Sequence, residues 1–264
     1  MRAVAIAITF LIFSISTIAQ FKTSVKRIYS TNVKDSFDIY TSVPVDFSKE
    51  KKYDVIYYCD ATLKSGIALR EQINEDKSLS KKGNYIFIGI GHIGDFHVLR
   101  RRDFILPFIN GKDTLPSSAD YGHIKDFYNF LVSELIPSVQ TAFRCTNKRT
   151  IIGHSLGGLF VFYCLFRSEN TFTNYIALSP ALWIDHYRIY EFNKLNNPLP
   201  AKTWLYFSAG GLETINQILP GTYKMNEFLT EKKYINLTFE YKVHPWQTHN
   251  SQVPESLKYV LTKL

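Results

Sequence analysis

The feature that most restricts the fold is the alternation of strand-like runs with helix-like segments. Runs rich in β-branched and aromatic residues predict strands over 54–59, 85–90, 150–152, 175–178, 203–207 and 237–243. Helical patterns cover 63–74, 124–143 and 254–264, and an antiparallel pair of strands is predicted over 24–29 and 37–43. Strands that alternate with helices favour a mostly parallel sheet with helices on both faces. The sequence therefore predicts an α/β fold with a central sheet of about eight strands.

The N-terminal segment differs in character from the rest of the chain. Arg2 is followed by an apolar run over 3–19, and polar sequence begins at Gln20. This pattern predicts a signal peptide over 1–19 and export to the periplasm or the medium. An uncleaved N-terminal anchor is the alternative, because the run is close to the roughly 18 residues that span a bilayer. Residues 20–264 contain no linker or repeat, so we expect a single domain with no stable membrane insertion after cleavage.

Composition and charge argue against several classes of protein. Hydrophobic residues make up 45% of the chain and charged residues 20%, which is ordinary for a globular domain. The formal net charge is +8, but the basic residues are scattered and accompany no nucleic-acid-binding signature, so no nucleic-acid partner is predicted. No zinc-protease motif, paired cysteine ligands or glycine-rich phosphate loop is present. We therefore predict no metal and no cofactor, and the sequence predicts no particular oligomeric state.

A G-x-S-x-G motif at 153–157 carries the strongest chemical signal. It follows a buried-strand pattern over 149–152 and precedes an apolar segment over 156–166, which is the strand, sharp turn and helix that a nucleophile elbow requires. Ser155 is therefore the predicted nucleophile. At the start of a helix, the N–H of Leu156 would donate to the developing oxyanion, and the loop after an earlier strand would supply Thr62 N–H as the second donor.

A serine hydroxyl is a weak nucleophile at neutral pH and requires a base within hydrogen-bond reach. In chains with this elbow the order is serine, acid, histidine, so the base lies downstream. His249 is favoured because it precedes the last predicted helix, and His244 is the alternative. For the acid, Glu213 follows the strand over 203–207 and is favoured over Asp185.

Taken together, these motifs resemble the esterase D superfamily of α/β-hydrolases, which includes siderophore esterases of the enterochelin type, S-formylglutathione hydrolases, feruloyl and acetyl xylan esterases, and mycolyltransferases. The matching features run from about Phe37 to the C-terminus and comprise Asp60, Arg102-Asp103-Phe104 with Pro107, Phe130-Leu131, Glu134-Leu135-Ile136-Pro137, 149–159, Ser179-Pro180-Ala181-Leu182-Trp183, Gly210 to Glu213, His249-Asn250-Ser251 and Val253-Pro254.

The resemblance implies that residues 20–264 form an α/β-hydrolase catalytic domain that hydrolyses a carboxylic ester through an acyl-enzyme. It supports Ser155 and His249 as catalytic and Glu213 as the acid. The Ser-Pro-Ala-Leu-Trp run is most similar to the siderophore-esterase branch. Some siderophore esterases resemble a Ser–His dyad, which leaves the role of Glu213 open, and Ala61 stands where relatives often carry glycine.

Substrate choice is less constrained by the sequence. Asp60, Arg102 and Trp183 are the candidates for substrate binding, although Asp60 also fits a role in supporting its loop. Basic and aromatic residues are expected in loops that rim the site: Arg100, Arg101, Arg102, Phe104, Phe108, Tyr121, Trp183 and Trp246. Such a rim suits a small-molecule ester with an aromatic or anionic acyl group, such as a siderophore-type ester. A glycan-linked feruloyl or acetyl ester, an acyltransferase reaction and a non-catalytic binding protein of the same fold are the alternatives.

Overall fold

A computed structural model describes residues 20–76, 79, 84–107, 121–167, 169–215 and 217–264. The predicted signal peptide over 1–19 and the predicted rim residue Phe108 lie outside these ranges. Across the described ranges, no helix combines the length and the apolar character needed to span a bilayer.

The described residues form an eight-stranded sheet in the order β1-β2-β4-β3-β5-β6-β7-β8. The strands are β1 (Phe21–Ser30), β2 (Asp35–Pro44), β3 (Tyr53–Tyr58), β4 (Tyr85–His92), β5 (Cys145–His154), β6 (Asn174–Leu178), β7 (Thr203–Gly210) and β8 (Leu237–His244). Strands β3 to β8 pair in parallel, whereas β2 pairs antiparallel with both β1 and β4. The predicted antiparallel pair and mostly parallel sheet are confirmed.

Helices cover both faces of the sheet. They are α1 (Lys64–Glu75), α2 (Phe96–Phe104), α3 (Ile124–Asn129), α4 (Ile136–Ala142), α5 (Leu156–Phe166), α6 (Ile218–Lys232) and α7 (Gln252–Lys263), with a π-helical segment at Phe130–Leu135 and a 3₁₀ helix at Arg188–Phe192. Apolar side chains of α1 and α7 share one core with Ile56, Phe87 and Ile176. Those of α2 to α6 share the other core, which includes Val55 and Ile88.

Two departures from regular helix have local causes. The helix predicted over 124–143 is continuous but passes through the π-helical segment, because Pro137 lacks the N–H that would bond to the carbonyl of Ser133. The short turn at Ile184–Tyr187 is not a right-handed helix, since Asp185, His186 and Tyr187 all have φ between 50° and 63°.

The parallel strands bring their carboxyl ends to one edge of the sheet, where loops carry functional groups in folds of this kind. Helix α5 follows β5 directly, and every residue from Gly157 to Phe166 is buried. An apolar helix of this sort is held from all sides, so its first turn is a rigid support for Ser155.

Candidate active site

Ser155 occupies a strained turn between β5 and α5. Its φ of 61° and ψ of −117° are unusual for a residue with a side chain and cost about 1–3 kcal/mol. Backbone bonds hold the turn: Ser155 N–H donates to Leu178 O (2.9 Å), and Leu159 N–H donates to Ser155 O (3.0 Å). A Cβ at Gly153 would lie 2.1 Å from Gly157 O, so only glycine permits this approach of strand and helix. The geometry is that of a nucleophile elbow.

His249 and Glu213 form a hydrogen-bonded pair on neighbouring loops. His249 Nδ1 lies 2.5 Å from Glu213 Oε1. Glu213 is 2% exposed, and its Oε2 accepts from Gly210 N–H (2.5 Å) and from the Ser179 hydroxyl (2.7 Å). These three donors satisfy a carboxylate that would otherwise be costly to bury. With Nδ1 donating to Glu213, Nε2 carries the lone pair of the neutral imidazole and can act as a base.

Backbone packing sets the separation between these two loops. Leu212 N–H donates to Gln247 O (3.0 Å), and Gly211 N–H donates to His244 O (2.8 Å). A Cβ at Gly210 would lie 2.3 Å from Gln247 O, so the end of β7 touches the loop that carries His249. The main chain itself therefore brings the acid next to the base.

Ser155 and His249 line one open cavity of about 290 Å³. Its other walls are Asp60, Leu63, Lys64, Ser65, Phe96, Arg100, His154 and Asn250. Two larger cavities, of about 520 and 550 Å³, lie at the amino ends of the strands and are lined by neither Ser155 nor His249. The smaller cavity is therefore the one placed for chemistry at Ser155.

Asp60 and Arg100 form a bidentate ion pair in the wall of this cavity. Arg100 Nε and Nη2 lie 2.7 and 3.0 Å from the two carboxylate oxygens of Asp60, which is 1% exposed. Arg100 Nη2 also donates to His154 O, 3.2 Å away. Asp60 thus holds the arginine against the elbow, and Lys64 places a second cation in the wall.

His154, the first variable residue of the motif, forms a hydrogen bond to the loop that carries the base. Its Nε2 lies 2.8 Å from His249 O, and since a carbonyl only accepts, Nε2 must carry a proton. Burial of the ring and the charge of the neighbouring His249 lower the pKa of His154 to about 3. The ring is therefore a neutral donor, with its centroid 4.4 Å from that of His249.

The two predicted oxyanion donors are sequence neighbours of cavity residues: Leu156 follows Ser155, and Thr62 precedes Leu63. Leu156 is the first residue of α5, where N–H groups have no acceptor within the helix. Thr62 lies between Ala61 and Leu63, whose amides donate to Ile90 O and Asp60 O; in the part of the chain that the structure describes, the Thr62 amide donates to no backbone carbonyl. The oxyanion roles of Leu156 and Thr62 stay predictions.

The structure does not bring every predicted binding residue to the cavity. Arg102 pairs with Asp35 (2.6 Å) and Asp103 (2.7 Å) and is not among the residues that line the cavity. Trp183 is half-buried against the core beside the turn at Ile184–Tyr187. Substrate-binding roles for Arg102 and Trp183 stay predictions.

Other candidates occupy different surroundings. Phe104 was expected in a rim loop, but it ends α2 and is fully buried in the core, so that expectation is wrong. Asp185, the alternative acid, is buried 3.7 Å from Arg188 rather than beside His249. His244, the alternative base, is buried with Nε2 2.8 Å from the Ser256 hydroxyl.

Sequence reasoning missed the cavity residues Leu63, Lys64, Ser65, Phe96 and Asn250. A usable signal was their position just after β3, β4 and β8, whose carboxyl ends face the site. Over the described ranges, no group of three His, Cys, Asp or Glu side chains could hold a metal ion. It stays a prediction that the protein needs no metal and no cofactor for activity.

Comparisons with known proteins place the chain among esterases. A family model described as "Putative esterase" matches residues 30–254. The chain is 32% identical over 171 residues to Ferri-bacillibactin esterase BesA of Bacillus subtilis, a match that covers 61% of this chain and 58% of that protein. It is also 32% identical over 105 residues to Siderophore triacetylfusarinine C esterase of Aspergillus fumigatus, covering 38% of this chain and 35% of that protein. The matched stretches span less than two thirds of either relative.

A solved structure described as BES protein from Bacillus cereus superposes on the chain with a TM-score of 0.78 at 24% identity. That match covers 97% of this chain and 98% of the other. It confirms the predicted α/β-hydrolase fold, with its mostly parallel eight-stranded sheet and helices on both faces.

Proposed function

The chain belongs to the "Putative esterase" family, and from that premise we propose that it hydrolyses a carboxylic ester with Ser155 as nucleophile. Family membership confirms the predicted resemblance and, at the level of the family, the predicted class of carboxylic ester hydrolase. The observation that carries the mechanism is the cavity that Ser155 shares with His249, whose Nδ1 is hydrogen-bonded to the buried Glu213.

In the proposed mechanism, His249 Nε2 takes the proton of the Ser155 hydroxyl as Oγ attacks the ester carbonyl carbon. The N–H groups of Leu156 and Thr62 stabilise the oxyanion of the tetrahedral intermediate. The intermediate expels the alcohol, which takes the proton from His249, and leaves an acyl-enzyme on Ser155. Water, deprotonated by His249, then attacks the acyl carbon; the bond to Ser155 Oγ breaks, Oγ takes the proton back from His249, and the acid is released. Glu213 keeps the ring proton on Nδ1 and stabilises the imidazolium.

A siderophore-type ester is the substrate class that we propose. Of the two curated relatives described above, one is named Ferri-bacillibactin esterase and the other Siderophore triacetylfusarinine C esterase. Beside the neutral Asp60–Arg100 pair, Lys64 gives the cavity wall a positive charge with no ion-pair partner among the described residues, and Phe96 gives it an aromatic ring, which suits an anionic or aromatic group beside the scissile bond.

A hydrolysis screen tests this choice. It compares a ferric tricatecholate lactone with feruloylated and acetylated xylan fragments and with simple short-chain esters, with and without an added alcohol acceptor. We expect the lactone to give the highest kcat/KM. A preference for the xylan esters would overturn the substrate class, and transfer to the alcohol in preference to water would indicate an acyltransferase.

The nucleophile is tested with Ser155→Ala. We expect this variant to lose hydrolysis of an aryl ester and covalent labelling by a fluorophosphonate, while its thermal midpoint stays within a few degrees of wild type. Ser133→Ala, which removes an exposed hydroxyl from the π-helical segment, is the matched control and should keep both. Activity retained in Ser155→Ala would refute the mechanism, and wild-type protein that takes no label would favour a non-catalytic binding protein.

Export is proposed on the apolar run over 3–19 that precedes Gln20. The domain of the mature protein would then begin near residue 20. Mass spectrometry of the protein recovered from the periplasm or medium of a bacterial host should find cleavage before or near Gln20. Intact chain held in the membrane fraction would instead indicate an uncleaved anchor.

A further inference from the structure

A line of polar side chains lies in the core on the Oε2 side of the Glu213 carboxylate. We call it the buried polar chain; its members are Ser179, Ser208, His244, Gln252 and Ser256. His244 is 4% exposed and the other four are 0% exposed. Polar groups are costly to bury and are retained where their hydrogen bonds are made. None of the five lines the active-site cavity.

The end of the buried polar chain nearest the active site contacts the carboxylate of Glu213. Ser179 Oγ lies 2.7 Å from Glu213 Oε2, and Gln252 Nε2 lies 2.9 Å from Ser179 Oγ. On its other side, Gln252 Oε1 lies 2.9 Å from Ser208 Oγ and 2.6 Å from Ser256 Oγ. The glutamine amide therefore joins two serines deep in the core to the serine that contacts Glu213.

Donor and acceptor chemistry fixes the direction of these bonds. A carboxylate only accepts hydrogen bonds, so the Ser179 hydroxyl donates its single hydrogen to Glu213 Oε2. Ser179 Oγ must then accept, which requires Gln252 to present its NH₂ group there and its Oε1 to the other two serines. If the amide were turned over, Gln252 Oε1 would face Ser179 Oγ with no hydrogen between them. One orientation of the amide satisfies every group.

The far end of the buried polar chain centres on Ser256. Its Oγ lies 2.6 Å from Gln252 Oε1, 3.0 Å from Ser208 Oγ and 2.8 Å from His244 Nε2, and its single hydrogen serves one of these partners. Tyr206 OH donates to Ser256 Oγ as well, at 3.3 Å. From Ser208 and Ser256 through Gln252 and Ser179, the bonds run towards the carboxylate of Glu213, and bonds aligned in this way polarise one another.

We propose that Ser179 and Gln252 are positioning residues for the acid, with the buried polar chain holding the carboxylate so that Oε1 receives the Nδ1 hydrogen of His249. This inference rests on the proposed function. Ser179 and Gly210 pin Oε2, so the carboxylate cannot rotate about its last bond. Gln252 is the first residue of α7 and comes three positions after His249, so the segment that delivers the base also supports the acid.

The expected consequence is confined to the chemical step. Since none of the five residues of the buried polar chain lines the cavity, their loss should lower kcat and leave KM within about twofold of wild type. Losing the hydrogen bond to a charged oxygen and the fixed torsion of the carboxylate should cost about tenfold or more in kcat.

The test compares Ser179→Ala, Gln252→Met and the double variant on an aryl ester, with thermal midpoints measured alongside. Because Gln252 acts through Ser179, we expect Gln252→Met to have little further effect on kcat in the Ser179→Ala background. Thr222→Val is the matched control: it removes a buried hydroxyl that bonds only to Ile218 O in α6, and should keep wild-type kcat.

Three results would each overturn the inference. The first is a wild-type kcat in Ser179→Ala, and the second is a rise in KM in that variant large enough to account for its loss of kcat/KM. The third is a double variant in which the two single effects on kcat multiply. Ser179→Ala removes one oxygen atom and is the decisive variant should Gln252→Met not fold. The proposed function fails separately, through an active Ser155→Ala. If Ser155→Ala is inactive while Ser179→Ala is fully active, the positioning inference alone is wrong.

Discussion

The substitution Glu213→Gln tests whether the site is a triad, because the local hydrogen bonds dictate how the new amide must sit. Oε2 of Glu213 accepts from Gly210 N–H (2.5 Å) and from Ser179 (2.7 Å). The Gly210 N–H is fixed in the main chain and can only donate. The NH₂ group of a glutamine, which is also a donor, therefore cannot take the place of Oε2. It must replace Oε1, the atom that now accepts from His249 Nδ1. The amide would then donate to Nδ1 and move the ring proton to Nε2.

With its proton on Nε2, the imidazole cannot accept the proton of Ser155. The same tautomer error in a serine protease lowers kcat by about 10⁴, and we expect a loss of about this size here, equivalent to about 5 kcal/mol of transition-state stabilisation. Because the amide has the shape of the carboxylate, the fold should persist. Ser155 should also stay in place, so KM should change much less than kcat.

The assay is steady-state hydrolysis of an aryl ester at neutral pH, with the thermal midpoint of each variant measured in the same buffer. Glu231→Gln, on the exposed face of α6, is the matched control and should behave as wild type. If Glu213→Gln keeps kcat within threefold of wild type, the tautomer argument is refuted. The site would then be a Ser–His dyad in which Glu213 holds the loop.

Two further predictions concern stability. Arg100→Met leaves the carboxylate of Asp60 buried without its cation and should lower the free energy of unfolding by about 3–5 kcal/mol. Arg27→Met breaks an exposed pair and should lower it far less; equal losses in urea titrations would contradict this. The pKa of His154 is lower in the folded chain than in the unfolded chain. As the pH falls below about 6.5, the unfolded chain therefore takes up a proton that the folded chain does not. The free energy of unfolding should decline towards pH 4 by up to about 1.4 kcal/mol per pH unit. His154→Gln, which keeps a donor for His249 O, should flatten this dependence, and parallel curves for both proteins would refute the assignment.

The strands and the elbow could be predicted from sequence because their signals are local. A buried strand needs a run of apolar residues, and the turn at Ser155 needs Gly153 and Gly157 at fixed spacing. The pairing of Glu213 with His249 could also be predicted from the sequence, because β7 and β8 are neighbouring parallel strands and the loops that follow them lie side by side.

The cavity wall could not be predicted in the same way. In the run of three arginines, the sequence favoured Arg102, whereas the structure places Arg100 in the wall. Neighbouring residues on a helix point about 100° apart, so the choice depends on how α2 rotates against the sheet, which non-local packing decides. The contacts of Gln252 and Ser179 escaped notice for a related reason, because they join residues 73 positions apart.

The order in which the cavity is assembled along the chain separates recognition from proton transfer. Leu63, Lys64, Ser65, Phe96 and Arg100 precede Ser155, whereas Glu213, His249 and the buried polar chain follow it; Asn250, beside His249, also follows Ser155 and lines the cavity without taking part in the proposed proton transfer. The two groups meet at the elbow, through the contact of Arg100 with His154 O. Substrate range can therefore diverge within residues 60–104 without disturbing the acid and the base, provided that Asp60 and Arg100 change together. A chimaera that exchanges this segment between relatives should carry ester preference with it, together with the second oxyanion donor at position 62, and keep its nucleophile, acid and base from the second half of the chain.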